Sequence, residues 1–129
     1  MLIDYPYFYG IDGKSASVVM DENRWETPRT YFMKIKGELS TDPSEPAYWG
    51  KVLKTPIMNE FEKRNMMKVH ETENVLYYHL DYDFIIAYIN YVIPDEHAIL
   101  IPKTTNIFLK KDWEMGNVPR EAFIEAQHD

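Results

Sequence analysis

Apolar side chains recur every three to four residues through the first half of the chain, which is the spacing of one face of an α-helix. The longest such pattern covers about residues 46–64, and Pro56 within it predicts a kink or a break because proline lacks a backbone donor. Another helix is predicted to begin at Thr27-Pro28, with the threonine as N-cap, and to end at Gly37. A turn over residues 12–15 precedes a further short helix at residues 16–20.

The pattern changes in the second half of the chain, where β-branched and aromatic residues dominate. Strands are predicted over residues 75–80 and 84–93, joined by a hairpin connection at residues 81–83. A third strand, residues 97–101, follows a turn at residues 94–96 and is apolar enough to lie at the centre of a sheet.

Two more helices are predicted near the end of the chain, a short one over residues 106–113 and a last one that begins at Val118-Pro119 and reaches Asp129. The strands follow one another as a meander between two groups of helices. This order predicts an α+β fold in which a three-stranded antiparallel meander is packed with helices. The length of 129 residues and the hydrophobic content of 45% suit one domain over residues 1–129.

The composition limits which catalytic and metal-binding residues the chain can use, and the apolar pattern limits where in the cell it is expected. The chain has no cysteine, which excludes disulfides, thiolate metal ligands and cysteine nucleophiles. The first residues lack the basic region and apolar run of a secretory leader, and no stretch approaches the roughly 20 apolar residues that cross a bilayer. We therefore expect a cytoplasmic protein with no membrane partner.

The chain is acidic, with 14 Lys and Arg against 21 Asp and Glu and a formal net charge of −7. Nucleic-acid binding depends on Lys and Arg that neutralise phosphates, so this charge does not favour DNA as a partner. It suits a basic protein surface, including one that normally holds nucleic acid. The alternative is that the acidity serves solubility alone.

The sequence gives little support for a metal site, a serine nucleophile, a phosphate-binding loop or a base-stacking surface. The four histidines occur at no metal-binding spacing such as H-E-x-x-H. Ser15 and Ser17 lack the G-x-S-x-G signature of a serine nucleophile, so capping or turn roles are expected for them. Gly10 and Gly13 are separated by two residues rather than the four of a phosphate-binding loop. At this charge, the ten tyrosines suit core packing or a protein interface better than base stacking.

Residues 47–54, with the sequence A-Y-W-G-K-V-L-K, mark a resemblance to a known family. With the segments that accompany them in order, they resemble the YqaJ-like viral recombinases, relatives of the lambda-type exonucleases in the restriction-endonuclease-like superfamily. The other matching segments are residues 11–15, 25–28, 36–39, 84–90, 98–106, 113, 118–119 and 127–128. The resemblance runs through most of the chain and implies a nuclease-like fold.

The family implies magnesium-dependent cleavage of a phosphodiester, in which carboxylates hold one or two cations and a nearby lysine assists. The glutamate that ends the family's W-G-x-x-L-E segment corresponds to Lys54, the acidic residue of A-N-x-D to Asn90, and the glutamate of E-x-K to Ile101. The lysine of E-x-K is kept as Lys103. Gln127 matches the glutamine-containing segment near the end of the chain.

These replacements predict the loss of catalysis. An ammonium at Lys54 would repel a divalent cation, Asn90 offers a neutral oxygen, and Ile101 offers no ligand. We therefore expect no catalytic residue, no metal and no cofactor. The alternative is a shifted register that brings a carboxylate inward from a turn, where charged residues are usually just solvated. The candidate carboxylates are those of Asp81, Asp83, Asp95 and Glu96.

The chain ends near the glutamine-containing helix, whereas the family continues, so we expect a truncated fold whose exposed face is covered by a second copy or by another protein. The resulting hypothesis is a catalytically inactive nuclease-like phage protein in the host cytoplasm. It would bind a host nucleic-acid-handling protein or a CRISPR effector as an anti-CRISPR or other anti-defence inhibitor. The alternatives are a magnesium-dependent recombination exonuclease acting on double-stranded DNA, or a non-catalytic subunit of one.

Overall fold

The computed structural model describes residues 10–39 and 44–129. Its elements alternate as the α+β prediction requires, with helices before and after a three-stranded sheet. The α-helices are α1 (Gly13–Val19), α2 (Pro28–Ile35), α3 (Glu45–Val52), α4 (Lys54–Asn65) and α5 (Arg120–His128). The strands are β1 (His70–Tyr78), β2 (Ile86–Ile93) and β3 (Ala98–Ile99), and 3₁₀ helices cover Pro94–Glu96 and Ile107–Gly116.

Side-chain caps fix where the first two helices begin. Thr27 accepts a hydrogen bond from the Thr30 backbone N–H at 3.2 Å, which confirms its predicted role at the start of α2. Asp12 accepts one from the Ser15 N–H at 2.9 Å, so α1 begins at Gly13. The prediction that this helix starts at Ala16 was wrong, because the cap draws the preceding turn into the helix.

The long helical pattern of residues 46–64 is broken, as predicted, but at Leu53 rather than at Pro56. Pro56 has no N–H to donate to the carbonyl four residues earlier, at Val52, and its ring crowds that carbonyl. The chain therefore ends α3 at Val52 and begins α4 at Lys54, with Leu53 in right-handed helical geometry between them. Proline is tolerated in the first turn of α4, where N–H groups lack partners within the helix.

The three strands form an antiparallel meander with the order β1-β2-β3, which confirms the predicted fold class. Val92 lies opposite Ile99, and Ile93 lies opposite Ala98. The prediction of a central third strand over residues 97–101 was wrong, because β3 has two residues and β2 is central in the described sheet. His97, with a φ of 49°, precedes β3, and Pro102, which has no N–H, follows it closely.

The chain divides into two compact units. The described parts of the first unit are residues 10–39, 76–88 and 116–129. Those of the second unit are residues 44–75 and 89–115.

In the first unit, α1 packs against α5. Val18 of α1 and Ile124 of α5 are buried. At the end of α5, His128 Nε2 lies 2.8 Å from the carbonyl oxygen of Ile86, which joins this helix to the start of β2.

In the second unit, a buried apolar cluster joins α4 to the sheet. Its core consists of Met58, Val69, Tyr91 and Ile93, and Phe61, Met67 and Leu100 pack against it. Glu62 of α4 accepts a hydrogen bond from the Val69 N–H at 2.6 Å, which fixes the entry to β1. No helix within the described ranges is long and apolar enough to span a membrane.

Candidate functional site

The register of the sheet brings two of the singled-out positions side by side in the second unit. Beyond the pair Val92–Ile99, the Leu100 N–H donates to the Tyr91 carbonyl at 2.9 Å. Continuing this antiparallel register by one residue places Ile101 beside Asn90. Facing residues on neighbouring strands have Cβ atoms roughly 5 Å apart. Asn90 and Ile101 therefore lie together.

The alternation of side chains along a strand decides which face of the sheet Asn90 and Ile101 occupy. Tyr91 and Leu100 belong to the apolar cluster, and successive side chains along a strand point to opposite faces. Asn90 and Ile101 thus lie on the face away from that cluster, where both are half-buried. A polar group at position 90 can be reached by solvent there.

Helix α3 approaches the segment that follows β3 through a glycine. A methyl group added to Gly50 would lie 3.2 Å from the Thr104 hydroxyl oxygen, so the helix backbone passes close to the residue that follows Lys103. Lys54 lies four residues after Gly50 but beyond the break at Leu53, as the first residue of α4.

All four positions singled out by the resemblance belong to the second unit, and we call them the four-residue site: Lys54, Asn90, Ile101 and Lys103. The set offers two ammonium groups, one amide and one hydrocarbon side chain. Magnesium in proteins is held by oxygen ligands, chiefly carboxylates and water. The residues present do not fit the metal that the family implies.

Within the described ranges, no group of three or more His, Asp or Glu side chains is arranged to hold a metal ion. The carboxylates considered for a shifted register lie in exposed turns: Asp81 and Asp83 in the β1–β2 connection, and Asp95 and Glu96 in the 3₁₀ turn before β3.

Gln127 belongs to the first unit and is not described together with the four-residue site. It is exposed on α5, next to His128. The glycines near the start of the described chain also serve packing. A Cβ at Gly10 would overlap the Phe84 carbonyl, and one at Gly13 would overlap the Asp129 carboxylate. Protein atoms therefore occupy the space that a side chain would need at both glycines.

The role of Gly50 was not predicted from the sequence. Glycine inside a helix costs about 1 kcal/mol relative to alanine, so a helical glycine indicates a close approach by another part of the protein. That signal shows that something approaches the helix at Gly50, but it does not show that Thr104 does.

Two comparisons with known proteins identify the family of the chain. The YqaJ-like viral recombinase domain matches residues 9–129 of the chain. The chain is also 36% identical over 121 residues to the uncharacterized protein YqaJ of Bacillus subtilis (strain 168). This alignment covers 92% of the chain but 38% of that relative, so the chain spans well under half of the relative's length. The chain belongs to the family of YqaJ-like viral recombinase domains.

Proposed function

We propose that this chain is a catalytically inactive member of its family that acts by binding another protein. The observation that carries the proposal is the composition of the four-residue site. Its four members belong to one compact unit, and no carboxylate is among them. A scaffold that retains its packing without its metal ligands is suited to binding rather than to cleavage.

Of the three replacements, the one at position 54 changes the electrostatic energy of a bound cation most. At an effective dielectric constant of 20, two like unit charges 4 Å apart repel by about 4 kcal/mol, and a divalent ion doubles this energy. A carboxylate at the same position would attract the cation by a similar amount. Exchanging the two therefore disfavours a metal there far more than the loss of a neutral ligand would.

The partner that we propose is a host protein that handles nucleic acid, with a CRISPR effector or another defence nuclease as the concrete case. The formal net charge of −7 disfavours phosphate binding and favours a basic protein surface. A protein that holds nucleic acid presents such a surface. By occupying it, an acidic chain would compete with the nucleic acid and act as an inhibitor.

A reconstituted inhibition assay tests this function. Purified chain is titrated into DNA-cleavage reactions of a guide-RNA-loaded CRISPR effector and of an end-resecting host nuclease. An unrelated acidic protein of similar size and charge serves as the control. We expect a concentration-dependent loss of cleavage in one of the reactions and a stable complex in sedimentation. Unchanged cleavage in both, or inhibition equal to that of the acidic control, contradicts the proposed inhibition.

A further inference from the structure

The connection between β1 and β2 exposes a dense group of apolar side chains. We define residues 77–84, with the sequence Y-Y-H-L-D-Y-D-F, as the hairpin tip; all of it lies within the first unit. Leu80 is 99% exposed, and about half of each of the four remaining apolar side chains is exposed: Tyr77, Tyr78, Tyr82 and Phe84. Tyr77 and Tyr78 are neighbours on β1 and point to opposite faces of the sheet, whereas Leu80, Tyr82 and Phe84 lie on the connection itself. Single exposed apolar residues are ordinary, but several close together mark an interaction site.

The hairpin tip is held in one conformation by its own hydrogen bonds. His79 Nδ1 accepts from the backbone N–H groups of Asp81 and Tyr82 at 3.1 and 3.3 Å. The His79 N–H donates to the Ile85 carbonyl, and the Ile85 N–H donates to the Tyr82 carbonyl, each at 2.9 Å. The Tyr82 ring lies 5.3 Å from the His79 ring and 6.0 Å from the Phe84 ring, centroid to centroid.

The base of the hairpin tip is anchored to the segment that leads into α1. The Ile11 N–H donates to the Phe84 carbonyl at 2.6 Å, and the Ile86 N–H donates to the Ile11 carbonyl at 3.1 Å. A preformed surface loses less conformational entropy on binding than a flexible loop of the same composition. The apolar residues of the hairpin tip are therefore presented in a form suited to docking.

The charge of the hairpin tip selects among possible partners. Asp81 and Asp83 flank Tyr82, and the eight residues contain no Lys or Arg. Two carboxylates beside the exposed rings repel a phosphate backbone, which disfavours stacking on single-stranded DNA. They also repel a second hairpin tip in a symmetric dimer, where the same patch meets itself. Carboxylates beside aromatic anchors instead match an apolar pocket with a basic rim.

We propose that the hairpin tip is the docking surface of this chain and that its partner presents an apolar pocket rimmed by Lys or Arg. Leu80 and Tyr82 enter the pocket, and Asp81 and Asp83 pair with its rim. Large aromatic side chains commonly contribute most of the binding free energy at such interfaces. This inference rests on the proposed protein-binding function and names the surface that performs it.

The test uses a defined probe rather than an unidentified partner. Random peptides of about 12 residues are selected for binding to the full chain, and each enriched peptide is measured by fluorescence anisotropy. We expect enriched peptides to combine Lys or Arg with large apolar residues. The Leu80→Ser/Tyr82→Ser variant should raise their Kd at least tenfold. The Asp81→Asn/Asp83→Asn variant should weaken binding and reduce its dependence on salt.

Phe108→Ser is the matched control, because Phe108 is 89% exposed but lies outside the hairpin tip. It should leave the Kd unchanged within twofold. Failure to enrich any peptide, enrichment of acidic peptides, or equal affinity for the Leu80→Ser/Tyr82→Ser variant overturns the proposal. So does tip-dependent binding of an oligothymidylate, or self-association that this variant abolishes.

The experiments distinguish a wrong docking surface from a wrong assignment of catalytic inactivity. If peptides bind elsewhere while no metal-dependent DNA cleavage is seen, the assigned surface is wrong and catalytic inactivity stands. If the chain cleaves DNA, the inactive scaffold is refuted whatever the peptides show.

Discussion

The proposed loss of catalysis rests on three side chains of the four-residue site. By the family resemblance, an ammonium at position 54, an amide at position 90 and a hydrocarbon at position 101 stand in place of three carboxylates. Together these exchanges make the formal charge at the three positions four units more positive. A neutral oxygen at Asn90 does not compensate for that change, because hard divalent cations depend on charged oxygen ligands.

A residue-level prediction concerns the exposed pair of Glu22 and Arg120. The guanidinium hydrogen-bonds to the Glu22 carboxylate and lowers the pKa of that carboxyl below its ordinary value of 4.5. A lowered pKa in the folded state means that the ionised form stabilises the fold. This contribution is fully present above the unfolded pKa and is lost as pH falls through the folded pKa.

We therefore expect Glu22→Gln to be slightly less stable than the natural chain near neutral pH. The difference should shrink below about pH 4.5 and vanish below the folded pKa. Urea unfolding across this range measures it. The same substitution in an Arg120→Gln background is the control and should show no such trend, because the hydrogen bond to the guanidinium is already absent. A stability difference that grows on acidification contradicts the assignment.

At the scale of elements, the sequence predicts which segments are helical or extended better than it predicts where they end. Pro56 predicts a break in the helix, but the break lies near the carbonyl four residues earlier, at Val52. The first residues of β1, His70 to Glu73, are largely polar, so propensity does not reveal a strand there. Pairing with β2 makes them extended, and the Thr72 hydroxyl donates to the Ile89 carbonyl across that pair.

For the candidate site too, the sequence predicts one part of the picture, namely which residues belong to it, but not how they are arranged in space. Family resemblance identifies Lys54, Asn90, Ile101 and Lys103 one by one along the chain. The β2–β3 register sets Ile101 beside Asn90, and the contact of Gly50 with Thr104 brings α3 near the residue after Lys103; both are long-range packing. Hydrophobic periodicity carries information about one element at a time, so it could not place these residues together.

An element-level prediction tests the anchor of the hairpin tip. Gly10 has a φ of 148°, and a Cβ there would overlap the Phe84 carbonyl. Gly10→Ala therefore forces both backbone strain and displacement of main-chain atoms. We expect it to lower the free energy of unfolding by about 2 kcal/mol or more, as measured by urea denaturation.

Gly37→Ala separates strain from steric overlap. Gly37 has a φ of 73°, but nothing lies within 4 Å of an added Cβ, so this variant should lose only about 1 kcal/mol from the left-handed backbone. A loss in Gly10→Ala no greater than that in Gly37→Ala would show that the approach of Gly10 to Phe84 does not matter for stability.

At the scale of the whole molecule, we propose a family scaffold that has kept its fold without its metal ligands. Restoring the three carboxylates with Lys54→Glu/Asn90→Asp/Ile101→Glu should recreate a cation site. The variant should be less stable than the natural chain without metal, because three carboxylates repel one another. At a Mn²⁺ concentration about 100 times its Kd, the ion should add about 2.7 kcal/mol of stability, measured by denaturation with and without the ion.

Lys63→Glu/Asn106→Asp/Ile107→Glu is the matched control, because it makes the same change of charge at exposed positions outside the four-residue site. It should gain no comparable stability from Mn²⁺. Equal stabilisation of the two variants, or of neither, would show that positions 54, 90 and 101 do not converge on one site.

The most direct test of the central claim is the metal-dependent nuclease activity of the natural chain. Purified protein is incubated with end-labelled linear duplex DNA in Mg²⁺ or Mn²⁺, beside an active exonuclease as a positive control. We predict that the DNA keeps its full length at every protein concentration. Shortening of the DNA that requires the metal, stops on chelation and disappears in Lys103→Ala would contradict the account.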